Sequence, residues 1–245
     1  MQGFIRVARN LVPGVLAICL VSVGAPCAAQ EVDPPGANVG SGVGSGSVFA
    51  PSPWINVIAP VQDRIDLKLY GFYIGDLDVP AAQVDVPVRT TKFLTITPSY
   101  LYYSVPARGL DDLANLSGAF TDSYDEHQFR IDGTVTFSIR KLEISGRNMY
   151  VRRFRPAPAD DSNRYRGRIG IAHPLAVKGR IWKPFASYET YYDHHNGGWN
   201  KDRVWTGVTL PLQKHIFLQP SYLWERSDGL KTINYVLFGL IVNTR

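Results

Sequence analysis

From Trp54 onward the chain alternates apolar and polar side chains with a period of two, in segments of about ten residues cut by turn-forming stretches. That period belongs to a strand, where successive side chains leave the backbone on opposite faces. Val204, Thr206, Val208, Leu210 and Leu212 alternate with Arg203, Trp205, Gly207 and Thr209. Ile216, Leu218, Pro220, Tyr222 and Trp224 alternate with Phe217, Gln219, Ser221, Leu223 and Glu225. Phe129, Ile131, Gly133, Val135 and Phe137 alternate with Gln128, Arg130, Asp132, Thr134 and Thr136. The 12% of aromatic residues, 22 glycines and 17 prolines suit strands and turns better than a helical bundle. After Trp54 no uncharged apolar run approaches the length of a membrane helix.

A soluble sandwich alternates in the same way, so the membrane reading rests on three further features. Trp182 and Tyr192 sit on one face of a single segment, separated by roughly the height a tilted strand needs to cross a bilayer. Connections alternate between tight, at 138–141 and 211–214, and longer and polar, at 105–124, 155–162 and 193–200. The last segment, 232–243, is largely apolar on both faces, as suits a strand that closes a barrel. The expected fold is an all-β, antiparallel, up-and-down transmembrane barrel of about ten strands, with eight to twelve allowed. Those strands fall near 53–60, 64–75, 92–104, 126–138, 140–154, 163–174, 180–192, 201–211, 214–226 and 231–243. The stretch 76–91 is then a long turn, and an even count puts both ends of the barrel at the mouth that carries the tight links, the periplasmic one.

The first residues are of another kind. Arg6 and Arg9 precede an uncharged run that ends in Gly24-Ala25-Pro26-Cys27-Ala28-Ala29, the pattern of a secretory signal peptide cleaved after Ala29 or Gln30. Pro13 and Pro26 bracket too short an apolar core for a membrane anchor, and Pro26 disfavours acylation of Cys27. The domain reading is a signal peptide over 1–29, a flexible Gly/Ser/Pro-rich leader over 30–52 and a barrel over 53–245. Both cysteines, Cys19 and Cys27, leave with the signal, so the mature chain is expected to lack disulfides and thiolate metal sites. Loss of Arg6 and Arg9 reduces a formal net charge of only +5, too mild to argue for a nucleic-acid partner.

Asn163-Arg164-Tyr165-Arg166, Ala186-Ser187-Tyr188-Glu189, Asp202-Arg203-Val204-Trp205-Thr206-Gly207-Val208 and Pro220-Ser221-Tyr222-Leu223-Trp224-Glu225, together with Glu126-His127-Gln128-Phe129-Arg130, carry a likeness to a family. In combination they resemble the outer-membrane barrels grouped as domain of unknown function 2490, over about residues 54–243. The resemblance implies a barrel fold and an outer-membrane location, and no activity.

Candidate chemistry is thin. Asp193-His194-His195-Asn196-Gly197-Gly198-Trp199-Asn200 superficially resembles the His-x-Ser and Trp-Asn elements of outer-membrane phospholipase, but Asn196 and Gly197 stand where the hydroxyl nucleophile is needed. Adjacent His194 and His195 point to opposite sides of an extended chain, so neither a catalytic nor a metal nor a cofactor site is assigned. Inward positions collect both signs of charge. Arg130, Glu143, Arg166, Glu189, Arg203 and Glu225 are expected to form a lumenal ion-pair network. Arg152, Arg153 and Arg155 flank a long outer connection and are candidates for lipopolysaccharide phosphates.

The function expected from these residues is a non-enzymatic outer-membrane barrel, structural or weakly transporting, with a lumen filled by side chains. Alternatives are an open small-solute channel, an outer-membrane lipid-modifying hydrolase and a soluble periplasmic β-sandwich. The expected partners are outer-membrane lipid, lipopolysaccharide and the barrel-assembly machinery; oligomeric state does not follow from the residues.

Overall fold

A computed structural model describes residues 47–74, 79–105, 123–155, 161–194, 197–227 and 232–244. The signal peptide and most of the leader expected from the sequence lie outside these residues. In chain order the strands are β1 (Ser47–Gln62), β2 (Ile65–Ile74), β3 (Val79–Asp85), β4 (Val88–Arg89), β5 (Leu94–Val105), β6 (Tyr124–Ile139) and β7 (Leu142–Phe154). They continue as β8 (Ser162–Ala172), β9 (Leu175–Val177), β10 (Arg180–Asp193), β11 (Gly198–Gln213), β12 (Ile216–Ser227) and β13 (Thr232–Asn243). β1 starts at Ser47, inside the stretch read as leader.

Neighbouring strands pair in sequence order around a ring that closes between β1 and β13. Two of the wall positions are each made of two pieces. β3 and β4 both lie between β2 and β5, separated by Val86-Pro87, where proline lacks the N–H a continuous ladder requires. β9 pairs with β10 beyond the end of β8, after a break at His173-Pro174. The result is a closed barrel of 11 strands. The stretch 76–91, expected to be a turn, therefore contributes a wall strand. Its pattern is short, and it is interrupted by Pro80 and Pro87, which hid it.

Eleven is an odd number, and this overturns the expectation that both ends of the barrel share the tight-turn mouth. With an odd count the first and last strands run the same way. β1 and β13 pair in parallel from Ser47 opposite Thr232 to Ile58 opposite Asn243, while every other pairing is antiparallel. The chain thus enters β1 at the mouth of the long connections and leaves β13 at the mouth of the tight turns. At this seam Trp54 lies against Gly239, where a Cβ would fall 2.0 Å from the indole. Only glycine lets the ring lie flat on the wall.

The tight turns use backbone conformations that limit the choice of residue. Lys178 and Gly179 both have positive φ, 47° and 75°, the combination of a type I′ hairpin turn whose twist matches that of its strands. Arg140, in the two-residue link between β6 and β7, has φ 58°.

Parity decides which side chains meet the lumen. On β6, Glu126, Gln128, Arg130 and Asp132 are buried, whereas Phe129 and Ile131 are 56% and 53% exposed. On β11 and β12, Arg203, Trp205, Thr209, Gln219, Leu223 and Glu225 turn inward. The outer face carries Val204, Tyr222, Ile169, Ile171 and Phe238, all exposed. A wall that hides charges and displays isoleucine and phenylalanine is inverted relative to a water-soluble sandwich.

Candidate functional site

The lumen is filled by an apolar cluster and by buried charge. The arc β13-β1-β2-β3-β5 presents Ile233, Tyr235, Trp54, Tyr70, Phe72, Ala81, Leu101 and Tyr103, an apolar wedge packed as one cluster. The facing arc, from β6 to β12, carries most of the buried charge and forms the ionic half of the lumen. The two halves interpenetrate: Phe185, Trp205 and Leu223 of β10, β11 and β12 belong to the same apolar cluster, and Gln83 and Asp85 carry polar groups onto β3.

The ionic half contains three linked groups. In the first, Arg153 donates from Nε and Nη2 to the two carboxylate oxygens of Glu126, both at 2.7 Å, a bidentate pair with each partner 1% exposed. Gln128 donates to Glu126 and to the Tyr103 hydroxyl, and its carbonyl accepts Arg130 at 2.6 and 2.9 Å. Arg130 also reaches Gln83, which donates to Asp85, so the chain of bonds crosses from β7 to β3.

The second group centres on Glu189. It accepts Arg147 and Arg166, each at 2.7 Å, and the Tyr191 hydroxyl at 2.9 Å. The third group joins Lys201 and Arg203 to Glu225. Arg164 pairs with Asp193 at 3.0 Å beside it. Tyr191 ties these together: Arg164, Arg166, Lys201 and Arg203 surround its ring at 4.6 to 5.8 Å from the centroid. An aromatic face among four cations offsets part of their mutual repulsion.

Of the residues expected to form the network, Arg166 with Glu189 and Arg203 with Glu225 are direct pairs. Arg130 is held by glutamines, and Glu143 lies away from the centre, paired with Lys183 at 2.7 Å nearer the tight turns. The sequence reading missed Glu126, Arg147 as a direct partner, Arg153, Tyr191, Asp193 and Lys201, whereas Arg164, whose period-two spacing with Arg166 turns it inward toward a carboxylate, does pair with Asp193. The signal was present: each lies an even number of positions along its own strand from an inward residue, so parity alone would have found them.

Arg153 requires a correction. Its side chain turns into the lumen and is 1% exposed, so it cannot meet lipopolysaccharide; Arg152, one position earlier, faces outward. Arg152 contacts Asp161 and Asn163 and lies over the Phe154 ring. Arg155, at the rim, donates its backbone N–H to Asp161. His194 packs against Tyr150 and Tyr192 as part of an outward aromatic band, while His195 lies outside the described residues.

That band has a polar notch near the long connections. Tyr100 and Phe129 pack together, and the Tyr100 hydroxyl lies 2.6 Å from Nδ1 of His127, which faces outward. Tyr102 donates to Asp125. Ser104, Asp125, His127, Phe154, Arg155 and Asp161 border an open hollow of about 520 Å³.

Residues 76–235 match the family described as a protein of unknown function, DUF2490. The chain belongs to this family. Within the DUF2490 match lie the whole of the ionic half of the lumen and the charged face of β6 to β12. Among solved structures the chain is similar to LpxR from Salmonella typhimurium, at 7% identity and a TM-score of 0.46 over 73% of this chain and 83% of that one. It is also similar to the β domain of the Bordetella autotransporter BrkA, at 17% identity and a TM-score of 0.42 over 69% and 78%. A third is OmpT, an outer membrane protein of Vibrio cholerae, at 11% identity and a TM-score of 0.38 over 69% and 52%. No curated protein matches the chain.

Proposed function

We propose that this DUF2490 chain is an exported, non-enzymatic outer-membrane barrel whose filled lumen makes it a wall element rather than a diffusion pore. The observation that carries the reading is the inversion of its two faces. Buried ion pairs and an apolar wedge occupy the inside, while exposed isoleucine, phenylalanine and tyrosine cover the outside. Such an outer face is stable in hydrocarbon and unstable in water, and a closed ring leaves no unpaired strand edge in the bilayer. Signal-peptide-dependent export and handling by the barrel-assembly machinery complete the reading, with the tight turns in the periplasm. Outward-facing Arg152 is the residue best placed to meet lipopolysaccharide phosphate.

The test is fractionation with heat-modifiability on a gel, followed by conductance in a planar bilayer. The folded chain is expected in the outer-membrane fraction, with no large steady current. Recovery in the soluble periplasm without detergent would refute the location, and steady conductance would refute the filled lumen.

A lipid-modifying hydrolase is the second reading, favoured by the hollow beside outward-facing His127. Against it, Nδ1 of His127 is engaged by the Tyr100 hydroxyl, a weak nucleophile, rather than by a serine. Turnover of phospholipid or lipopolysaccharide by the purified protein, lost in His127→Ala, would replace the first reading with this one.

A further inference from the structure

Five tight turns circle one mouth of the barrel, between β1 and β2, β4 and β5, β6 and β7, β9 and β10, and β11 and β12. Each carries an exposed cation: Arg64, Lys92, the pair Arg140 and Lys141, Lys178, and Lys214. None of these six makes an ion pair among the described residues. Arg89 and Arg180 add to the ring but are partly occupied, Arg89 by Asp66 and the Asp63 carbonyl, Arg180 by the Pro211 carbonyl.

Next to the cations stand exposed apolar side chains. Phe93 follows Lys92, Ile139 and Leu142 flank Arg140 and Lys141, Ile181 follows Arg180, and Leu212 is two positions before Lys214. Exposed Asp63 is the acid beside Arg64 at this rim, whereas the opposite rim carries exposed Asp125, Asp161 and Arg226, with Asp161 taken up by Arg152 and Arg155. A cation above an apolar collar, repeated at every turn, matches the cross-section of a lipid leaflet, with phosphate at the level of the charge and acyl chain at the level of the collar.

We infer that the tight-turn rim is a binding ring for anionic phospholipid headgroups, the phosphodiester of a phosphatidylglycerol-type lipid in the leaflet that these turns face. This rests on the reading of the chain as a membrane barrel. The lysines and arginines take the headgroup phosphate as a charge-assisted acceptor, and the ring gathers these lipids into the shell of lipid around that mouth. The ring also sets the depth at which the barrel rests, because each cation resists being drawn below the phosphates.

The mature chain is folded into vesicles of phosphatidylcholine alone and of phosphatidylcholine mixed with phosphatidylglycerol. The relative association of spin-labelled phosphatidylglycerol over spin-labelled phosphatidylcholine is then read in the mixed vesicles. Each cation near an anionic surface strengthens association about fivefold, so a several-fold preference is expected. It should fall toward unity in high salt and in the variant combining Arg140→Gln, Lys141→Gln, Lys178→Gln and Lys214→Gln. The variant should insert into phosphatidylcholine as well as the unaltered chain does, and inorganic phosphate should displace no more of the labelled lipid than chloride does at the same ionic strength. Equal association of both lipids, or an undiminished preference in the variant, overturns the inference; displacement by inorganic phosphate beyond that by chloride at the same ionic strength reassigns the ring to soluble anions and overturns it too. A chain that stays in the aqueous phase with both vesicle types sinks the membrane reading itself and this inference with it, an outcome distinct from insertion without preference.

Discussion

Replacing Glu189 tests whether the lumen is dry enough for its ion pairs to matter. Its carboxylate accepts bonds from Arg147, Arg166 and Tyr191, and the residue is 2% exposed. Glu189→Ala removes the acceptor of the Arg147 and Arg166 guanidinium groups beside the Tyr191 ring, where Arg166 is itself one of four surrounding cations. Breaking a buried pair in this way costs about 3–5 kcal/mol. Glu189→Gln keeps the volume and one acceptor oxygen, so the loss should be nearer 1.5–3 kcal/mol, roughly one charged hydrogen bond. Tyr191→Phe removes only the hydroxyl and should cost about 0.5–1.5 kcal/mol. The combination Arg147→Met, Glu189→Leu and Arg166→Met exchanges the triad for apolar volume and should recover part of the loss, because both guanidinium groups leave with their acceptor while buried Asp132 loses the neighbouring charge of Arg147. The assay is denaturant unfolding in lipid vesicles followed by tryptophan fluorescence. If Glu189→Ala costs no more than about 1 kcal/mol, the value of an exposed pair, water penetrates the lumen and the filled-barrel argument fails.

Gly239→Ala should destabilise the chain by about 1–3 kcal/mol through collision with Trp54, and Trp54→Ala in the same chain should remove most of that penalty; equal unfolding of the single variant and the unaltered chain would disprove the seam packing. Ile169→Arg places a cation on the outer face and should cost up to about 2–4 kcal/mol in vesicles, whereas a neutral or stabilising effect would fit a water-facing wall. Ser47→Cys and Lys141→Cys, made one at a time, should react with a membrane-impermeant thiol reagent from opposite sides of the membrane; labelling from one side would refute the parallel closure of β1 on β13.

What the sequence determined by itself was local. A period of two assigns Gln128, Arg130 and Asp132 to one face and Phe129, Ile131 and Val135 to the other without any knowledge of neighbours, because the assignment follows from the pleat of one strand. Parity likewise put Arg166, Glu189, Arg203 and Glu225 on a common side. The tight links at 138–141 and 211–214 were legible for the same reason, being set by a few adjacent residues. The strand at Val79–Asp85 was not, because its short pattern ends at a proline break and it becomes a wall only by lying between β2 and β5. Partner choice was equally out of reach: Arg147 meets Glu189 across 42 positions and Arg153 meets Glu126 across 27, distances that depend on the register of every intervening strand. Closure belongs wholly to the tertiary structure. Whether the ring has an even or odd count, and so whether the first strand runs with or against the last, is decided only when the accumulated register of all the strands brings Trp54 over Gly239.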